Sequence, residues 1–438
     1  MPLLIVLFGI VLLFLLIAHF KLNGFIAFIL VSLFVGIAEG MDPVSVIGSI
    51  QKGIGSILGF LVLILGFGAM LGKLVADSGA AQRITMQLVR QFGKKNIQWA
   101  VVLTGFIVGI PMFYSVGFVI LVPLVFTIAA ATGLPLLYVG LPMLASLSVT
   151  HGYLPPHPAP TAIAATFNAD IGKTLLYGIV IAIPAIIVAG PLLSRTMKHI
   201  RATPLKEFIN PTLLKEEEMP GTGVSIGTAL LPVFLIATAA AAELLLPPEN
   251  TLKAILAFMG DPVMAMLISV LVAIYTLGLA RGHSMKQVMD TVGGAVTGIT
   301  MVLLIIAGAG ALKQVLIDSG VSDYIGALLK GSALSPLLLA WLIATVIRVC
   351  VGSATVAGLT AAGIVLPLTQ GAGVSPELMV LSIGSGSLML SHVNDSGFWL
   401  FKEYFNLSVK DTLKTWTVME TTVGVMGLIG VLILQQFI

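Results

Sequence analysis

The sequence predicts an all-α integral membrane protein built as two inverted repeats, with about ten crossings, two re-entrant hairpins and two broken helices. Three observations predict it. Of the 438 residues, 58% are hydrophobic and 9% are charged, and the mean hydropathy is +1.10. Soluble domains carry roughly 25% charged residues, so lipid is the solvent for most of this surface. Residues 66–79, GFGAMLGKLVADSG, return at 307–320 as AGAGALKQVLIDSG. Finally, the apolar stretches at 146–167 and 387–401 hold residues that a continuous membrane helix does not tolerate.

A helix needs ~20 apolar residues to cross the hydrocarbon. The stretches 3–20, 23–40, 54–76, 174–194, 226–246, 263–281, 291–317 and 416–437 are of that kind. The first has no basic residue before it and no small-residue cleavage pattern after it, so it reads as a membrane helix and not a signal peptide. Shorter apolar arms lie at 98–110 and 116–130, and again at 334–347 and 356–368. Their length suits re-entrant segments, which gives hairpins at 98–130 and 334–368 whose tips meet near the midplane. Each hairpin is followed by a broken helix, at 136–167 and at 378–405. The most polar stretch, Arg195 to Gly221, contains LKEEEMPGTG and is read as a cytoplasmic linker over 201–222. It separates a first repeat, 1–200, from a second, 223–438.

The repeats align at nearly one shift. At 241, Asp77-Ser78-Gly79 falls on Asp318-Ser319-Gly320, and Ser146 and His151 fall on Ser387 and His392. At 238, NADIGKTL (168–175) matches NLSVKDTL (406–413). Five crossings and a returning hairpin per half force the second copy to insert upside down. Inverted repeats are the usual architecture of secondary transporters. Basic residues, enriched on the cytoplasmic side, agree with this map. With the N-terminus outside, fifteen Lys and Arg fall in inside loops, and four (Lys52, Lys173, Lys253 and Lys330) fall outside.

The broken helices carry the chemistry. Pro155, Pro156, Pro158 and Pro160 lack backbone N–H groups and clash with a preceding turn. Asn394, Asp395, Ser396 and Gly397 interrupt the second stretch. Broken backbone at membrane depth survives where it is buried in protein or lines a wet cavity. A half-helix starting there points free N–H groups and partial positive charge into that cavity, a natural carboxylate site. Two tips and two breaks would build one anion site. At the second tip, Gly352 lets backbone approach a ligand, and the hydroxyls of Ser353 and Thr355 offer hydrogen bonds. Asp395, an ionisable group at membrane depth, is a functional candidate that could also cap the following half-helix. Asn394 and Ser396 are candidate ligands. Arg348 either pairs with a substrate carboxylate or anchors its hairpin through backbone carbonyls. Tyr114 and Ser115 either touch substrate or pack the first tip. His151 and His392 share a repeat position, so a structural role at the breaks stands beside proton handling; His157 has no counterpart and is the better proton or ligand group. Glu420 is either a proton relay or a buried hydrogen-bonded partner.

Other classes fare less well. A net charge of +3 argues against nucleic acid as a partner. Cys350 is the lone cysteine, so neither an intrachain disulfide nor a cysteine-rich metal site forms. An intramembrane enzyme would need His151, His157 and His392 as metal ligands, yet there is no HExxH and no serine–base motif. No metal and no cofactor is expected.

HGYLPPHPAPTA (151–162), GSATVAG (352–358) and SHVNDSGFWLFKEYFNL (391–407) resemble signature stretches of the gluconate permease family, the GntP-type gluconate:proton symporters. The resemblance implies the ion-transporter superfamily fold, a homodimer with scaffold and moving transport domains, and a place in the bacterial inner membrane. It implies gluconate or a related sugar acid as substrate, with protons as the coupling ion. On this chain it would put substrate at Gly352, Ser353 and Thr355 and at Asn394, Asp395 and Ser396. The alternative within transport is a sodium-coupled symporter of small carboxylates or D-serine.

Overall fold

The computed structural model describes residues 2–203, 214–247, 249–321, 324, 335–366, 373–393 and 395–438. Every regular element among them is helical. Lipid demands this, because a helix satisfies its backbone groups within one segment. The first half runs α1 (Pro2–Phe14), α2 (Gly24–Ala38), α3 (Pro43–Asp77), α4 (Ala80–Phe92), α5 (Ile97–Gly109), α6 (Tyr114–Thr132), α7 (Leu136–Tyr153), α8 (Pro158–Phe167) and α9 (Ile171–Thr196). The second runs α10 (Thr222–Leu245), α11 (Thr251–Gly260), α12 (Pro262–Arg281), α13 (Met285–Asp318), α14 (Pro336–Val351), α15 (Ala354–Val365), α16 (Pro376–Gly386), α17 (Ser396–Tyr404) and α18 (Val409–Leu434).

Among the described residues, five helices are long and apolar enough to cross a membrane, α9, α10, α12, α13 and α18. A sixth is α3, whose parts Pro43–Gly59 and Leu61–Asp77 are bent 45° from each other. Both α3 and α13 begin well before the apolar windows at 54 and 291. Gln51 and Lys52 in α3, and Asp290 in α13, interrupt the apolar run without interrupting the helix, because helical hydrogen bonds are internal to the chain. The true starts are set by caps. Asp42 accepts hydrogen bonds from the N–H groups of Val44 and Ser45 at 3.1 and 3.2 Å, and Ser284 forms a capping box with Gln287.

α3 and α13 pack along each other and hold α2 and α12 against their flanks. Ser49, near the start of α3, donates to Asp318 at the end of α13 at 2.7 Å. Asp77 and Ser78, at the end of α3, share a hollow with Gln287 and Thr291 near the start of α13. Two helices that match in sequence therefore run antiparallel. They approach closely where Gly53 meets Gly310: a Cβ on Gly53 would sit 2.3 Å from the Gly310 carbonyl oxygen. Small residues at such crossings let membrane helices gain dispersion contact that lipid cannot supply.

Helices α5–α9 and α14–α18 form a second bundle, in which α5 packs on α7, α14 on α16, and α18 on both α9 and α16. It meets the first bundle through α8 on α3 and α15 on α13. The arms α5, α14 and α15 have 13, 16 and 12 residues. At 1.5 Å per residue these are roughly 18–24 Å, short of the ~30 Å hydrocarbon. α6 has 19 residues, longer than the arm read at 116–130, because the helix already starts at Tyr114 and runs on to Thr132.

The linker is pinned to α4. Glu216 takes hydrogen bonds from Arg90 at 2.7 and 2.9 Å and from Arg83 at 3.1 Å, while Gln82 pairs reciprocally with the backbone of Leu214. The Arg90 guanidinium, with Arg83 behind it, holds the Glu216 carboxyl at about 2, below its ordinary 4.5. A lowered carboxyl value keeps the clamp charged at neutral pH and releases it as pH falls from 4.5 towards 2.

Replacing Gly53 by valine should force α3 and α13 apart and cost about 1–3 kcal/mol. Thermal unfolding of the detergent-purified protein checks this. A Gly55→Val control faces open space and should melt like the parent.

Candidate functional site

Both expected breaks are present. α7 ends at Tyr153 and α8 begins at Pro158, with His157 at the N-cap and prolines filling the first turn, where a missing N–H costs nothing. α16 ends at Gly386, a turn follows over 387–390, and α17 begins at Ser396.

A cavity of about 290 Å³ opens where the second break meets the two hairpin tips. The first tip contributes Phe113 and Tyr114, the second Gly352 to Thr355, and the second break Asp395 and Gly397. Ser148 and His151 of α7 and Trp416 and Glu420 of α18 complete the floor. Val302 of α13 closes one side, so the cavity lies between the two bundles.

Three helix N-termini end on this space. α15 is capped by Ser353, whose hydroxyl accepts from Val356 N–H at 3.3 Å. α17 is capped by Asp395, whose Oδ1 accepts from Gly397 N–H at 2.9 Å. α6 has no side-chain cap. Each terminus brings partial positive charge to the cavity.

Charge at the site is concentrated in one pair. Arg348 is 3% exposed and Asp395 14%. One guanidinium nitrogen of Arg348 donates to Asp395 Oδ2 and another to the Gly352 carbonyl, while its Nε has no partner among the described residues. The same Oδ2 accepts from the Ser391 hydroxyl, which in turn accepts from the Trp416 indole at 2.7 Å. Gly352, at φ 78°, ends α14 in the left-handed region where a side chain would be strained. The 3% exposed Glu420 accepts from the hydroxyl of Ser148.

Of the residues read from the sequence, Gly352, Ser353, Thr355, Asp395, Arg348, Tyr114, His151 and Glu420 line this one cavity. Arg348 anchors its hairpin and also faces the cavity; Asp395 caps a half-helix and also faces it. Three of the expected contributors lie elsewhere. His157 sits beneath the first hairpin, its Nε2 2.8 Å from the Gly109 carbonyl oxygen. His392 gives its carbonyl to the Asp395 N–H at 2.9 Å, and its ring is not among the lining groups. The first break does not reach the cavity either. Its prolines are buried and have no N–H to offer, so α7 instead presents side chains from the two turns before the break. Asn394 lies outside the described residues, as do the side chains of Ser115 and Ser396.

Comparison with known proteins decides the family. The GntP family permease model matches residues 1–438. The chain belongs to the GntP permease family. It is therefore a multi-pass membrane permease and not an enzyme. It is 57% identical over 438 residues to the high-affinity gluconate transporter of Escherichia coli, covering 100% of both chains. It is 56% identical over 432 residues to the Gnt-II system L-idonate transporter of the same organism, covering 99% of this chain and 98% of that one. The gluconate permease of Bacillus subtilis is 50% identical over 445 residues, with 99% of each chain covered. Two solved structures share the fold at 16% identity. The Alcanivorax borkumensis YdaH transporter has a TM-score of 0.65 over 94% of this chain and 97% of that chain, and Neisseria gonorrhoeae MtrF has 0.67 over 93% and 94%.

Sequence reasoning missed Ser148, Ser391 and Trp416 of this permease. A signal existed for Ser391, four residues before Asp395. Trp416 had none, because a π-helical turn over Leu413–Thr417 delivers it to the cavity.

Arg348→Met strands the Asp395 carboxylate in a buried setting and should cost about 3–5 kcal/mol. The double variant Arg348→Met/Asp395→Leu should recover most of that loss. Thermal unfolding of both in detergent checks the pair; equal melting of parent and single variant would show that it contributes nothing.

Proposed function

We propose that this permease carries gluconate or a closely related sugar acid inward with a proton, by alternating access of elevator type, in the bacterial cytoplasmic membrane. The observation that carries the reading is the convergence of three helix N-termini and Arg348 on one cavity between two bundles. The substrate carboxylate rests against the Arg348 guanidinium and the N–H groups at the start of α6 and α15. The sugar hydroxyls meet Ser353, Thr355, Ser148, Tyr114 and His151. The names of the relatives, a gluconate transporter at 57% and an L-idonate transporter at 56% identity, support the substrate class.

The antiparallel packing of α3 and α13 supports the inverted-repeat reading, with about ten crossings. The short arms α5, α14 and α15 support re-entrant hairpins. The bundle of α5–α9 and α14–α18 then moves as the transport unit against a scaffold of α1–α3 and α10–α13, with Val302 on the fixed wall. The scaffold also carries the homodimer contact in this reading. A hexonate carries one negative charge, so one co-transported proton makes the cargo neutral, and the pH gradient drives uptake while the membrane potential contributes little.

Proteoliposomes test this. Labelled gluconate should accumulate when an inward proton gradient is imposed and stop when it is collapsed; dependence on sodium at fixed pH would favour the sodium-coupled reading instead. Asp395→Asn and Ser353→Ala should each lower uptake about tenfold or more with membrane expression intact, the cost of a charge-assisted hydrogen bond of ~1.5–3 kcal/mol. Full activity in both variants would remove this placement of the site.

A further inference from the structure

We propose that Glu420 is the residue that binds the co-transported proton, exchanging its own negative charge for that of the substrate. This rests on the proton-coupled carrier reading above. Among the described residues two carboxyl groups line the cavity, Asp395 and Glu420. Their surroundings differ in kind. Asp395 has the Arg348 guanidinium as counter-charge, the Ser391 hydroxyl and the Gly397 N–H. Protonating it in the empty site would strand a buried cation. Glu420 is equally central but has one neutral donor, the Ser148 hydroxyl, and no ion pair among the described residues. An uncompensated carboxylate at membrane depth is costly, and such groups mark ion pathways.

The groups around Glu420 leave it no other counter-charge. α7 presents Ser148, His151 and Tyr153, and α6 presents Tyr114. Arg348 of α14 faces it across the cavity but is engaged by Asp395. The neighbouring α9 and α16 carry their charged residues, Lys173, Arg195 and Glu377, in their terminal turns, and Lys402 of α17 is paired with Glu403. His151 is the competing proton carrier. Its ring is packed between those of Tyr114 and His157, at 5.9 and 5.4 Å, and as a neutral imidazole it strands no charge in either state.

Charge counting then closes the cycle. Arg348 and Asp395 cancel. The empty site with ionised Glu420 carries one negative charge. The site holding a monoanion with Glu420 protonated also carries one negative charge. Substrate and proton enter together because a second anion beside ionised Glu420 is repelled in a cavity of low dielectric. The bundle moves the same net charge in both directions, so the exchange is stoichiometric.

The test uses the full chain in proteoliposomes with gluconate as the probe. Counterflow by the parent protein examines the carrier reading by itself: no counterflow would end that reading whatever Glu420 does. Given counterflow, Glu420→Gln mimics the protonated state. It should keep counterflow within about threefold, bind gluconate with an affinity that no longer changes between pH 5 and 8, and fail to accumulate substrate on a proton gradient. Glu420→Asp should restore accumulation. The proposal is overturned if Glu420→Gln still accumulates gluconate, if the folded variant loses binding, or if coupling is instead lost in His151→Gln.

Discussion

A buried guanidinium has to be neutralised, and that requirement joins the parts of this site. Arg348 stands in the last turn of α14, where its backbone is fixed by the hairpin and its side chain is 3% exposed. The nearest charge that satisfies it is Asp395, forty-seven residues on, at the start of α17. The same guanidinium holds the Gly352 carbonyl. One side chain therefore ties the second hairpin tip to the second break. Remove it and two elements lose register together, because a buried carboxylate and an end-of-helix carbonyl would both be left to desolvated surroundings.

Lipid imposes the rest. Every broken helix exposes orphan amides, and hydrocarbon offers them no water. The chain meets this in two ways. At α15 and α17 side-chain caps from Ser353 and Asp395 take up N–H groups while leaving others facing the cavity. At α8 two of the first three residues, Pro158 and Pro160, have no N–H to satisfy. The first solution leaves donors for a ligand, and the second removes them. The second break lines the cavity and the first does not.

These devices were legible in the sequence to different degrees. Composition gave the solvent, and proline and the Asn-Asp-Ser-Gly run gave the breaks, because each acts on its own backbone. The caps Asp42 and Ser284 were equally local, yet apolar windows placed the helix starts too late, since a window measures burial and not hydrogen bonding. Gly352, Ser353 and Asp395 could be read as a site because tip and break are each short and polar within apolar surroundings. His157 reads from the sequence as the better proton or ligand group because it has no repeat counterpart, yet it is His151 that lines the cavity. Only His157 has prolines on both sides, and which histidine faces the cavity depends on the Gly109 carbonyl that α5 brings beneath the hairpin. Trp416 depends on a π turn that shifts the facing of α18 locally, a backbone event with no residue signature here.

The two halves contribute unlike groups to the cavity. An antiparallel pair of equal halves would present matching groups to both ends of a ligand. A sugar acid has unlike ends, one charged and one hydroxylated, so a symmetric site would satisfy one end and waste the other. Here the second half contributes the formal charges of the tip and break, Arg348 and Asp395, and the first contributes Tyr114, Ser148 and His151, neutral donors and a ring face. His151 and His392 mark the point of divergence: they share a repeat position, yet one ring lines the cavity and the other does not. Glu420 reaches across this divide from α18 to the hydroxyl of Ser148 on α7, joining a carboxyl of the second half to the uncharged floor of the first. The antiparallel pairing of α3 and α13 brings the two halves together beside the cavity. The unequal side chains give that cavity one side with formal charges and one side of hydroxyls and rings.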